Sequence, residues 1–203
     1  MHISLNSMSL PRHLGWALLM VLPLLANCSG NGSNTDAVDA ATAQNEKKID
    51  TADITKKQEA DAKFLVKSTS NALLEVELGK LAQARATAPA VRSYGAHLVP
   101  QRLELLATLR TLATAKGLTV PAALGGDEQE AYHEASTQAG AQLDKHLMAL
   151  LVKAQKQDED AFDDMSDDAY DGDIRGFAAK FHGPVQEQLA AAKEAADIAE
   201  KLP

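Results

Sequence analysis

The chain has 203 residues, a formal net charge of −8 with 28 acidic against 20 basic side chains, and only 4% aromatic residues. That length suits one domain with appendages, and so few aromatics require a core of aliphatic side chains. The acidic balance, with no clustered basic face along the sequence, excludes the phosphate-binding surface that a nucleic-acid partner needs.

At the N-terminus, Arg12 and His13 precede the apolar run "LGWALLMVLPLLA", which is too short and too interrupted by proline for a dedicated membrane span. Residues 1–27 therefore read as a signal segment, with Met1 and Met8 as alternative starts. Cys28 is the only cysteine, so no intrachain disulfide can form. Leu25, Ala26, Asn27 and Cys28 resemble a bacterial lipobox, with Asn27 standing where a smaller residue is usual. The resemblance implies acylation of Cys28 and a lipid anchor in the membrane; ordinary cleavage nearby is the alternative. Ser29 after the cysteine, by resemblance to lipoprotein sorting rules, implies the outer membrane, facing the periplasm.

Residues 28–57 are polar and nearly free of large apolar side chains, which predicts a flexible tether. From Gln58 onward helical periodicity takes over, and residues 58–203 are expected to form the folded domain. Phe64, Leu65, Ser68, Ala72, Val76, Gly79 and Ala86 follow one face of a first long helix ending near Thr87. Pro89 suits the start of a second helix, whose inner face runs Val91, Tyr94, Leu98, Arg102, Leu105, Leu109 and Leu112 to a stop at Gly117. Asp127 is the expected N-cap of a short helix, and Gly140 separates it from a third long helix bearing Leu143, Leu147, Leu151 and Phe162. Asp173 is the expected cap of a last helix, broken at "HGP" and resumed from Val185 to Leu202. Four long amphipathic segments with almost no strand signal predict an all-α four-helix bundle, with a short extra helix before the third long one.

The stretches "EVELGKLAQARATAPAVRSYGAHLV", "GAQLD" and "IRGFAAKF", with "VQEQLAAA", resemble the bacterial domain-of-unknown-function family 4142. That resemblance covers roughly residues 61–201 and implies an envelope protein with a ferritin-like bundle and no settled activity. It also implies histidines at three inward positions, which here match Arg102, with Gln101 before it, Gln155 and Gln188. None of the three is a histidine. Arg102 then reads as a cation standing where an imidazole would be, with Glu75 and Asp144 as expected members of a buried polar cluster. A guanidinium reaching water along the bundle edge is the other reading of the same position.

Other candidate sites are weaker. Di-iron bundles use paired Glu-x-x-His sequences, and this chain has one such sequence, Glu130 to His133. The acidic run Asp158 to Asp173 invites calcium, but setting Gly172 at an EF-hand turn makes Asp167 and Asp171 ligands while putting Ala169 and Ala178 where carboxylates belong. His97, His146 and His182 are scattered, and no Gly-x-Ser-x-Gly elbow or phosphate-cradling loop occurs. The expectation is a non-enzymatic envelope lipoprotein without a cofactor, its bundle serving as a binding or stress-protective module toward an envelope partner. The alternative is a divergent ferritin-like metal or redox protein that draws on Glu75, Glu77, Glu104, Asp144 and Asp158.

Overall fold

Two helical hairpins, joined face to face, make up most of the structure, a computed structural model that describes residues 36–50 and 56–203. The signal segment, Cys28 and the first residues of the expected tether lie outside the described residues. The elements are α1 (Ala37–Asp50), α2 (Lys56–Arg85), α3 (Pro89–Ala115), α4 (Gly126–Thr137), α5 (Gly140–Asp168) and α6 (Gly172–Glu200). Short connections fold α2 back on α3 and α5 back on α6, while α2 also packs on α5 and α3 on α6. The result is an all-α bundle of four long helices. The short α4 lies across α2 and α5, and α1 lies along α2.

The ends of the helices follow local chemistry. Pro89 begins α3, where a missing N–H costs nothing, and Gly117 just beyond its end has a φ of 64°, a conformation that side chains resist. The cap of α6 is Asp171 rather than Asp173, and its carboxylate accepts from the backbone N–H groups of Asp173 at 2.8 Å and Ile174 at 3.2 Å. Likewise α4 starts one residue before Asp127, which sits in the first turn; the carboxylate that receives the Gly126 N–H comes from Asp36.

The tether is shorter than its composition suggests. Residues 37–50 form α1, which buries Ala41 and Ile49. Asn45 donates to the Thr119 carbonyl at 2.8 Å and accepts from the Thr119 N–H at 2.7 Å. Two small apolar contacts and a reciprocal amide pair dock the helix without the large side chains that composition arguments look for. The expected break in the last helix is also absent. Pro184 lies inside a continuous α6, as Pro100 lies inside α3, and both prolines are exposed, on faces where water can take up a carbonyl that a helix N–H would otherwise bind.

Buried apolar residues fall into two clusters stacked along the bundle axis. One gathers Leu78, Val91, Leu98, Leu143, Leu147, Leu151 and Ala192. The other gathers Phe64, Leu65, Leu105, Leu109, Phe162, Ile174, Phe177 and Val185, with the Phe64 and Phe162 rings in edge contact at 5.1 Å. Each of α2, α3 and α5 crosses from one cluster to the other at a polar residue, and those residues meet.

Candidate functional site

Between the two apolar clusters lies a layer of charged and amide side chains. Arg102 from α3, Glu75 from α2 and Gln155 from α5 are 0% exposed, and Asp158 from α5 is 1% exposed. Arg102 Nε stands 2.5 Å from Glu75 Oε2, and Nη1 stands 3.3 Å from Asp158 Oδ2. Nη2 donates to Gln155 Oε1 at 2.7 Å, while Asn71 of α2 donates to Asp158 Oδ1 at 2.9 Å. Thus Arg102 does not snorkel to water. It is the largest fully buried side chain in the described residues.

One guanidinium faces two carboxylates in this layer, so burial is only partly offset. Burial pushes Glu75 up to about 8, against the pull of Arg102 and with Asp158 adding to the rise. Asp158 is also raised by burial, with Arg102, Asn71 and Lys67 pulling it back. The two acids share the consequence: at neutral pH the layer favours keeping a proton.

Asp144 does not join this layer. It lies more than three turns earlier on α5, and its carboxylate accepts from Thr87 N at 2.9 Å, Thr87 Oγ at 2.9 Å and Ala88 N at 2.6 Å. Ala88 has no side chain able to cap α3, and Asp144 supplies that function from across the bundle. Asp61, which the sequence did not single out, does the same for the other hairpin: it accepts from Tyr170 N at 3.1 Å and Asp171 N at 2.8 Å. A signal for it exists, because Asp61 and Glu75 on α2 have the same spacing as Asp144 and Asp158 on α5. In both helices the first acid holds a turn and the second enters the polar layer.

A family model described as Domain of unknown function (DUF4142) matches residues 46–195. The chain belongs to the DUF4142 family. No curated protein and no solved structure matches it significantly. In this DUF4142 member, two of the three positions singled out by resemblance, Arg102 and Gln155, touch each other. Gln188 does not reach them; it donates to Gln101 at 2.6 Å at the mouth of a groove of about 720 Å³ between α3 and α6.

The remaining candidates are dispersed. Glu77 pairs with Lys80 at the surface at 2.7 Å, and Glu104 is exposed on α3. Glu130 and His133 are exposed on α4. Asp167 is exposed, while Asp171 and Asp173 share Lys116 at 2.7 and 2.6 Å, which ties the end of α3 to the start of α6. His97 lines the α3/α6 groove, His146 lies on α5, and His182 is 3.6 Å from Asp163. The residues at the bundle centre do not fit a di-metal site: a permanent cation already lies between the two convergent carboxylates, and the other acids point to separate tasks.

Proposed function

We propose that this DUF4142 protein is a non-catalytic envelope lipoprotein whose helical bundle is a binding module held at a membrane. The observation that carries the reading is the polar layer. Its ionisable groups are committed to one another and closed off from solvent, which suits a bundle that holds its shape and offers its surface rather than one that turns over a substrate. The lipobox-like "LLANCSG" supports anchoring through acylated Cys28, since several buried acyl chains, at about 0.8 kcal/mol per methylene, retain a folded domain at a bilayer. Among the described residues no helix is long and apolar enough to cross a membrane, so a lipid would carry the attachment for that part of the chain. Ser29 favours the outer membrane with the bundle facing the periplasm, where an envelope protein or a small ligand is the partner.

Replacing Cys28 with Ser tests the anchor. The variant is expected to leave the membrane fraction while keeping its helical circular-dichroism spectrum, and the N-terminal peptide of the parent is expected to carry acyl mass. Unchanged fractionation without acyl mass rejects the lipoprotein reading.

A further inference from the structure

A groove of about 610 Å³ opens between α1, α2, α4 and α5, on the side of the bundle away from the α3/α6 groove. Its walls are mostly apolar, with Val66, Leu74 and Leu150 among them. The groove is open to solvent along its length, so a ligand would lie in it partly exposed, with a few polar groups fixing its orientation. The polar groups here are unusual for so acidic a chain. Lys63 and Lys67 on α2 and Lys153 on α5 border the same space. Whereas Lys80, Lys116 and Lys156 each pair with carboxylates, none of these three comes within 4 Å of one among the described residues, although Lys67 is near enough to the buried Asp158 to pull on it. Lys63 and Lys67 are also one helical turn apart, where like charges repel. Beside them Ser70 lines the groove while only 2% exposed, and its hydroxyl has no hydrogen-bond partner. A buried hydroxyl without a partner is costly, and since the Ser70 oxygen is covered, a turn of its side chain toward a ligand acceptor in the groove would remove that cost. On the opposite wall Asp127 and Glu128 of α4 leave the lysines in the majority.

We propose that this groove binds a single-chain anionic amphiphile, an acyl carboxylate whose chain lies against Val66, Leu74 and Leu150 and whose head is held by Lys63, Lys67, Lys153 and the Ser70 hydroxyl. Lysines supply the charge complement, the apolar walls take the chain, and Ser70, once its side chain turns toward the groove, donates where it now has no acceptor. The inference rests on reading the bundle as a binding module and names its ligand class.

Dodecanoate below its micellar range, titrated calorimetrically into the purified chain, is expected to saturate one site. Dodecanol is expected to bind at least tenfold more weakly, because it keeps the chain and lacks the charge. The combined variant Lys63→Glu, Lys67→Glu, Lys153→Glu is expected to lose at least tenfold in dodecanoate affinity; if it fails to fold, the single variant Lys153→Gln, at an exposed position, is expected to lose about threefold. Vesicles rich in phosphatidylglycerol separate a free amphiphile from a bilayer surface. Vesicle binding that needs these lysines while dodecanoate fails to saturate overturns the proposal, as does equal binding of dodecanoate by parent and folded lysine variants, or of dodecanol and dodecanoate. Because the readout is independent of acylation, failure here leaves the Cys28 result intact, and failure of acylation leaves this one intact.

Discussion

Arg102 and Glu75 form an ion pair across α2 and α3 in which neither side chain is more than 1% exposed. With one proton held between Glu75 and Asp158, Arg102 compensates the single carboxylate charge that remains at neutral pH; leaving a buried charge without its partner typically costs about 3–5 kcal/mol, whereas an exposed arginine is worth roughly 0–1 kcal/mol. Arg102→Met retains an apolar stem of similar reach and deletes only the charge. It is expected to lower the stability measured by urea denaturation at neutral pH by more than about 2 kcal/mol, with Arg102→Ala losing more because it also leaves a cavity. A methionine variant as stable as the parent would remove the ion pair from the account.

The same layer gives the protein a pH dependence. Burial raises Glu75 from 4.5 to about 8, so the folded chain holds this proton at higher pH than the unfolded chain does. Its contribution is full below about pH 4.5 and is lost as pH rises through about 8. Asp158, also raised by burial, adds to the same fall, while Asp171 and Glu159, held below their ordinary values, act only at the acid end. Urea midpoints are expected to fall between about pH 5 and pH 8.5 in the parent, and Glu75→Gln is expected to flatten that slope. A parent profile that is level or rising across the window contradicts the assignment.

Asp144→Ala removes the carboxylate that receives two backbone N–H groups and a hydroxyl at the start of α3. A lost cap costs about 1–2 kcal/mol, and burial of the abandoned Ala88 N–H adds to it, so a loss of about 2–3 kcal/mol is expected. Asp144→Asn keeps one acceptor oxygen and should recover roughly half. Amide exchange offers a local readout: protection should fall first at Thr87 and Ala88.

Gly95 sits where α2 and α3 approach closely. A Cβ there would lie 2.6 Å from the Gly79 carbonyl oxygen and 3.0 Å from the Ala82 Cβ, and the first of these is backbone. Alanine gains about 1 kcal/mol of helix propensity over glycine, yet prying two packed helices apart typically costs about 1–3 kcal/mol. Gly95→Ala is therefore expected to be neutral to destabilising, against the gain found for Gly→Ala in an open helix. Thermal unfolding at a higher midpoint than the parent would show that the helices can separate freely.

The four long helices were legible because their apolar stripes are long and their stops, Pro89, Gly117 and Gly140, act through local backbone chemistry. Arg102 was recognisable as an anomaly in such a stripe, since the wheel places it inward, but its acids were only half identified. Glu75 meets Arg102 as expected and Asp144 does not: both acids lie on inward faces, and periodicity gives the face without the height along the bundle. Asp158 is a candidate carboxylate from the sequence, but nothing in its acidic run singles it out as the partner of Arg102, and Asn71 and Asp61 carry no mark by residue type. The docking of α1 is not legible for a related reason, because a pair of hydrogen bonds to a distant loop leaves no trace in composition. Pro184 does not break its helix, because a proline facing water in a long packed helix need not end it.

Asp61 and Asp144 make the two hairpins mutually dependent. Each hairpin carries, near the start of its first helix, the acceptor for the other's turn, so neither turn is complete in an isolated half. Assembly of the bundle is then a single event in which docking and turn closure occur together, since a half-molecule would leave its own turn amides without their acceptor. A chain cut in the loop between Gly117 and Gly125 retains all of these groups, divided between two fragments. Such fragments should be poorly ordered apart and recover helix on mixing, which makes the protein a natural split pair.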